Sequence, residues 1–495
     1  MIASPHKIFI VSMLLITVIA IALRWYHIDQ RSLWHDELVT ANNSNGTLQE
    51  ALDKTRSTSS APALHPIILQ IVERFSDSPL AVRLPSLLAG VLAVLVLVVA
   101  TRRSVSMRGA VYAGLIIALS SSQIHYSQEV REYSLSVLAA ALMLLVYMEY
   151  TRNKSREWPL LVLCTLLLVV PFVQYGLVLF GVSIVGAMLV VRYAQGANLR
   201  RMVIEGGAAG LSIGAGGLGS LLLTLRHQMY LFGMQVDRGF YYNPEKHHNF
   251  LIFLANKTLA LFSFVYLGPL LLGLIIPALI IYGWDAFKSR TWDPIIIVTL
   301  MSLVVAIFMA MLHLYPYGGM RQCIYLAPVL VLVAASALDH FGELFSTSHK
   351  NVVLVAIVVA ILLAAKMDIL DSRTNPYSVK EDIKPVLTEL TRSIHPDDQV
   401  YLYYSAKPAF EFYKFRSGRL IYGRSHHADL GDYVTEIQES VDRETGRLWL
   451  VFTHVMNNED SVILQGLDQD WDIKQVVDAK GSALYLARRK VGAAM

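Results

Sequence analysis

The run Ala81-Val82-Arg83-Leu84-Pro85-Ser86-Leu87-Leu88-Ala89-Gly90-Val91-Leu92-Ala93-Val94-Leu95-Val96-Leu97-Val98-Val99-Ala100 closes on Thr101-Arg102-Arg103. From Leu87 onward it has no polar face, so a helix made of it is stable only where lipid or protein covers every side. About 20 such residues cross a bilayer core. Comparable runs recur at roughly 8–24, 80–100, 106–122, 133–150, 158–173, 176–193, 203–225, 256–283, 294–313, 322–338 and 351–369. The expected fold is therefore an α-helical polytopic membrane protein with about eleven transmembrane helices. Composition agrees: of 495 residues 55% are hydrophobic and only 16% charged, and the mean hydropathy is +0.48.

The first run follows His6-Lys7 and leads into Arg24-Trp25-Tyr26 with no small-residue cleavage site, so it reads as a retained span. Arg102, Arg103 and Arg108, then Arg152, Lys154 and Arg156, then Arg192, Arg200 and Arg201, then Lys288 and Arg290 fall in alternate connections. The positive-inside rule makes those connections, and the N-terminus, cytoplasmic. Segments 25–79, 123–132, 226–255 and 314–321, and everything after about residue 371, are then extracytoplasmic. The net charge of +4 and pI near 8.8 arise from these short clusters, which form no continuous basic stripe, so no nucleic-acid partner is expected. Cys164 and Cys323 fall in separate spans and read as packing residues.

Two domains follow: a membrane domain over 1–370 and an extracytoplasmic domain over 371–495. In the second, Ser378-Val379-Lys380-Glu381 reads as a capping box opening an amphipathic helix that ends near Ile394. Strands are expected at 399–405, 419–422, 447–453 and 483–487 and helices at 432–441 and 459–467, which makes a small α/β sandwich.

Chemistry is concentrated in the outer connections. Arg31-Ser32-Leu33-Trp34-His35-Asp36-Glu37-Leu38 places two adjacent carboxylates beside a span, where desolvation is costly without a cationic partner. A solvated loop with ordinary surface acids is the alternative. In His125-Tyr126-Ser127-Gln128-Glu129-Val130-Arg131-Glu132-Tyr133, a helix starting near Glu129 would set Glu129 and Tyr133 on one face and direct Arg131 toward an anionic ligand. Simple interfacial anchoring is the other reading. His65, before Pro66, stands either in the site or as a helix-end hydrogen-bonding group. Tyr315-Pro316-Tyr317-Gly318-Gly319-Met320-Arg321-Gln322 is a turn that delivers Arg321 to the start of a span. Gly214-Ala215-Gly216-Gly217-Leu218-Gly219 fits a dinucleotide fingerprint but lies within an apolar span. With Gly206 and Gly210 it reads instead as a surface for close helix approach. His247-His248 lacks a third metal ligand at a recognisable spacing.

Trp34-His35-Asp36-Glu37, His65-Pro66, Ala81–Ser86 and Tyr126–Tyr133, in that order, resemble the GT-C class of membrane glycosyltransferases. The branch resembled includes protein O-mannosyltransferases and lipid A aminoarabinose transferases. Ile383-Lys384-Pro385 and Asp398-Gln399-Val400-Tyr401 look like its bacterial relatives. Where relatives often carry two prolines, this chain has His65-Pro66-Ile67. The resemblance implies a bacterial cell-membrane setting, a polyprenyl-phosphate-linked sugar as donor, and Asp36 as catalytic base.

Attack by an acceptor hydroxyl on the anomeric carbon needs a base for the proton and cations for the departing phosphate. Asp36 and Glu37 are the expected catalytic pair, with Glu37 orienting His35 or an arginine. Arg131 leads the donor-phosphate and substrate group of His35, His65, Glu129, Arg131, Tyr133 and Arg321. One base and one phosphate leaving group imply a single inverting displacement. No cofactor and no obligatory metal are expected; the hydroxyl acceptor is a glycolipid, a polysaccharide or a protein. Rival classes are a flippase or transporter, which would need charges deep within spans, and a polysaccharide ligase or polymerase, which need not carry an Asp-Glu pair after its first span. The charge asymmetry predicts that alkaline phosphatase fused after the last residue is active; an active cytoplasmic reporter there would reverse the topology.

Overall fold

The chain's computed structural model describes residues 5–58, 61–152, 157–230, 240–243, 247, 249–346, 349–424, 431–442, 445–455 and 458–490. Lys154, Arg156 and His248 lie outside them. Two compact units emerge: Met1–Tyr26, Thr47–Phe75 and Val82–Tyr377 form the first, and His27–Gly46, Ser76–Ala81 and Ser378–Met495 the second.

The first unit is helical. In chain order the helices are α1 (Pro5–Trp25), α2 (His35–Ser44, in the second unit), α3 (Leu48–Thr58), α4 (Leu64–Glu73), α5 (Pro79–Ser104), α6 (Met107–Leu119), α7 (Ser121–Ser127), α8 (Tyr133–Arg152), α9 (Trp158–Val169) and α10 (Gly176–Ala194). They continue with α11 (Leu199–Ser220), α12 (Phe250–Val265), α13 (Pro269–Lys288), α14 (Pro294–Met311), α15 (Ala327–Glu343) and α16 (Lys350–Leu370).

Among the described residues nine helices are long and apolar enough to cross a membrane, against the eleven expected. The difference has local causes. The 106–122 run becomes α6, 13 residues and about 20 Å long, which ends where Ser120 turns to an extended conformation. The 158–173 run becomes the 12-residue α9 and a 3₁₀ turn at Val170–Phe172 that contains Pro171. The 256–283 run still supplies one of the nine, α13, but is not one helix: it breaks between α12 and α13, where Leu267 and Gly268 both take positive φ.

Burial sorts the helices. The apolar window of Arg321–Glu343 is 89% buried and that of α8 is 78% buried, whereas those of α13, α14 and α16 are 22–28% buried. The former are the bundle's centre; the latter keep apolar faces for lipid. Cys164 and Cys323 are free. The glycines of α11 form no nucleotide loop. A Cβ on Gly216 would sit 2.2 Å from the Leu168 carbonyl oxygen, so α9 and α11 pack backbone to backbone there, while Gly210 and Gly214 face open space.

The second unit carries a five-stranded sheet in the order β2-β1-β3-β5-β4, from β1 (Gln399–Leu402), β2 (Arg419–Tyr422), β3 (Arg447–Thr453), β4 (Trp471–Ala479) and β5 (Ser482–Arg489). β1 runs parallel to β2 and β3; β5 is antiparallel to β3 and β4. Helices α17 (Lys384–Ser393), α18 (Lys407–Phe412), α19 (Gly431–Ser440) and α20 (Glu459–Leu467) accompany it. β4 was not expected, because Ile473-Lys474-Gln475 alternates only briefly before a register shift between Gln475 and Val477. Ser378–Glu381 opens no helix: α17 starts at Lys384, with Pro385 in its first turn, and Glu381 is used elsewhere.

Gly216→Val is expected to lower the melting temperature of detergent-solubilised protein, an overpacking cost of about 1–3 kcal/mol, with Gly214→Ala unchanged; equal melting of the two variants would refute the close approach.

Candidate functional site

Arg24 closes α1 with a guanidinium only 1% exposed. It donates to the carbonyls of Ala118 at 3.0 Å and Ile117 at 3.2 Å, at the end of α6, and to Ser127 Oγ at 3.1 Å. Gln128 Nε2 in turn donates to the carbonyls of Arg24 at 3.0 Å and Tyr26 at 2.8 Å. These bonds stop α7 at Ser127, so no helix begins near Glu129. The Glu129–Glu132 stretch is irregular and α8 starts at Tyr133. Glu129 is instead reached from α7: His125 Nε2 lies 3.0 Å from its Oε1, while His125 Nδ1 lies 3.0 Å from the Pro376 carbonyl.

Ser86 of α5 donates its hydroxyl to the Arg131 carbonyl at 2.9 Å and pins that irregular backbone. The Arg131 guanidinium, buried, lies over the Tyr133 ring at 5.6 Å, donates to its hydroxyl at 3.4 Å and pairs with Glu132 at 3.5 Å. Arg321 approaches the same ring at 5.8 Å. Two cations thus share one phenol. Arg321 opens a 3₁₀ helix (Arg321–Leu326) after a turn whose Gly319 lies so near α12 that a Cβ would meet the Ala260 carbonyl oxygen at 2.3 Å.

His65, at the start of α4 and outside the spans, is 1% exposed, and neither ring nitrogen has a hydrogen-bond partner among the described residues. Burial, reinforced by the Arg131 charge, pushes its pKa down to about 3. The ring is therefore neutral at pH 7, with one nitrogen ready to donate and one to accept. A helix-end hydrogen-bonding role does not describe it.

His35, Asp36 and Glu37 lie in the second unit, in the first turn of α2. The His35 backbone N–H donates to Glu381 Oε2 at 2.9 Å, and its ring stacks on His454 at 4.6 Å. Glu381 also binds the His454 ring. Burial, and then the His454 charge, hold the His35 pKa below its usual value against Asp36 and Glu381. Glu37, 1% exposed, accepts the Trp34 backbone N–H at 3.3 Å through Oε2, which secures the helix start that presents the half-buried Asp36. Lys380 lies over the Trp34 ring at 3.9 Å. Ser32 donates to Asp382, the Leu33 N–H to Tyr413 Oη at 3.2 Å and Asn42 Nδ2 to the Pro408 carbonyl at 2.8 Å.

The first unit thus gathers His65, Glu129, Arg131, Tyr133 and Arg321. Ser86, His125 and Glu132 there, and Glu381 and His454 in the second unit, were not anticipated. Ser86 lies in the quoted Ala81–Ser86 segment, but Glu381 and His454 lie more than 300 residues from His35 and carry no local signal. Among the described residues no group of three or more His, Cys, Asp or Glu is placed to hold a metal ion.

Residues 60–215 match the dolichyl-phosphate-mannose-protein mannosyltransferase family. A search of curated proteins by sequence found no match. Among solved structures, the chain is similar to ArnT from Cupriavidus metallidurans bound to undecaprenyl phosphate, at TM-score 0.55 and 16% identity over 98% of both chains. It is also similar to the Archaeoglobus fulgidus oligosaccharyltransferase AglB in complex with an inhibitory peptide and a dolichol-phosphate, at TM-score 0.53 and 11% identity over 98% of this chain and 74% of that one. The fold is that of the GT-C glycosyltransferases. With the family match, it marks the chain as a membrane glycosyltransferase. The matched region of this glycosyltransferase contains His65, Ser86, Glu129, Arg131 and Tyr133; Asp36 and Arg321 fall outside it.

The depressed His65 pKa sets a pH dependence. The unfolded imidazole, near 6.5, binds a proton that the folded one refuses until about pH 3, so stability is full above 6.5 and declines as pH falls through that window. His65→Gln should flatten the fall in melting temperature between pH 6.5 and 4 in detergent; an unchanged slope would show that His65 is not held neutral.

Proposed function

We propose that this glycosyltransferase moves a sugar from a polyprenyl-phosphate carrier to an acceptor hydroxyl on the extracytoplasmic side of the cell membrane, with inversion. The observation that carries the reading is the approach of Arg131 and Arg321 to the Tyr133 ring, beside His65, whose ring nitrogens have no hydrogen-bond partner among the described residues. A lipid-phosphate donor is a monoanionic diester, and the released carrier phosphate is a dianion. Charge therefore grows on the phosphate as the glycosidic C–O bond breaks, and two fixed guanidinium groups bind the transition state better than the ground state. The undecaprenyl phosphate of the ArnT structure and the dolichol-phosphate of the AglB structure support a carrier of this chemistry.

In this reading Asp36 accepts the proton of the acceptor hydroxyl as oxygen attacks the anomeric carbon, and the carrier phosphate leaves from the opposite face. Glu37 is a positioning residue through its bond to the Trp34 N–H, and His65 donates to or accepts from the sugar or its phosphate. Glu129, clamped by His125, accepts the Arg131 backbone N–H through its carbonyl at 2.8 Å, and the Tyr133 hydroxyl accepts from the Arg131 guanidinium; together they hold Arg131 in place. No cofactor or metal is required. The N-terminus is cytoplasmic, and the acceptor is a glycolipid, polysaccharide or protein.

Arg131→Ala should reduce donor use by one to two orders of magnitude, since a charge-assisted contact contributes about 1.5–3 kcal/mol, with Arg131→Lys restoring it only in part. Unchanged transfer of radiolabelled sugar from a defined polyprenyl-phosphate donor would remove Arg131 from the site.

Asp36→Asn should abolish transfer at equal membrane abundance and saturating donor. Glu37→Gln keeps an oxygen for the Trp34 N–H and should retain measurable activity. Near-normal turnover by Asp36→Asn would refute the general base.

A further inference from the structure

Apart from the arginine cluster, the first unit holds a cavity of about 770 Å³ between α13, α14 and α15. Its wall is apolar, with Leu279, Ile296, Leu300, Leu303 and Val333. Gly283 also lines it, and a Cβ there would meet no atom within 4 Å. The mouth, at the turn from α13 to α14, differs in kind: Arg290, Thr291 and Trp292 line it, two residues beyond Lys288. Trp284, Phe287 and Trp292 are 64%, 77% and 59% exposed, as aromatic rings are at a membrane interface.

The charges at this mouth are unbalanced. Asp285 is held by His340, whose Nε2 lies 2.9 Å away, and Asp293 accepts the Ile295 N–H at 2.8 Å and the Tyr282 hydroxyl at 2.5 Å. The side chains of Lys288 and Arg290 form no ion pair or hydrogen bond among the described residues. Two cations are left for an anion, and both nearby acids are already engaged, which disfavours a headgroup ammonium.

We propose that this cavity binds an anionic membrane phospholipid, with an acyl chain along the apolar wall and the phosphate at Arg290 and Lys288. The donor lipid is a different molecule. Arg321 begins and His340 nearly ends one continuous helical stretch, so 19 residues at 1.5 Å separate the donor arginine from this mouth by roughly 30 Å, the thickness of a bilayer core. The binding itself does not rest on the proposed reaction; only its distinction from the donor lipid does.

Native mass spectrometry of the delipidated full chain, titrated separately with phosphatidylglycerol, phosphatidylcholine and a polyprenyl phosphate, tests it. Phosphatidylglycerol is expected to bind in preference to phosphatidylcholine, and the Lys288→Ala/Arg290→Ala variant to bind it about 10- to 30-fold more weakly. Gly283→Leu, at a position where an added Cβ meets no atom within 4 Å, should remove the adduct while the melting temperature is kept. Equal binding of the two phospholipids, unchanged phosphatidylglycerol binding in both variants, or loss of only the polyprenyl phosphate adduct in Gly283→Leu would each overturn the proposal.

Discussion

At the end of α1 a fully buried guanidinium takes the place that water takes at the end of a soluble helix. The last carbonyls of α6 have no partner within their own helix, and in a lipid-covered bundle water is not there to supply one. Arg24 supplies it, binding Ile117 and Ala118 while also holding Ser127. Its reach depends on Gly90, where a Cβ would fall 2.0 Å from Ser127 Oγ and 3.2 Å from Arg24 Nε. A single charged residue thus ties α1, α6 and α7 together in the space that Gly90 of α5 leaves, and its five fixed donors make the job unsuited to lysine.

The placement of Arg131 follows from that tie. With α7 stopped at Ser127 and Gln128 turned back onto the end of α1, residues 129–132 run irregularly before α8 resumes. Buried irregular backbone is tolerated only where its polar groups are met, and the Ser86 bond to the Arg131 carbonyl meets one. The same break directs the guanidinium onto the Tyr133 ring, where Arg321 arrives from a distant turn. Glu132 offsets part of this charge at 3.5 Å, and burial, reinforced by the Arg131 charge, holds His65 neutral.

The second unit solves a different problem. Its loop carries acids and imidazoles that are costly to bury, and His35 is met by groups from the chain's far end. Glu381 joins the His35 backbone to the His454 ring, and the two rings stack. The Ser32–Asp382 and Asn42–Pro408 bonds secure the flanks of this loop. Asp36 sits half-buried in the first turn of a helix whose start Glu37 secures, a placement that keeps a carboxylate accessible and its backbone ordered.

Apolar run length and its boundaries made the spanning helices legible, because lipid imposes a length and polarity requirement that each segment meets alone. The same locality made β1, β2, β3, β5, α19 and α20 legible, and it failed for β4, whose alternation a register shift interrupts. It failed too at 106–122, 158–173 and 256–283, where hydropathy is continuous but the backbone is broken by Ser120, Pro171 and Leu267-Gly268. The sequence by itself determined that this is a many-pass membrane chain with acids, imidazoles and arginines gathered in its connections. Only the tertiary structure decided that Arg131 and Arg321 meet at one ring and that Glu381 serves His35. Those pairings join residues 190 and 346 positions apart, and buried charges are satisfied by whatever the packing brings near, which no local period encodes.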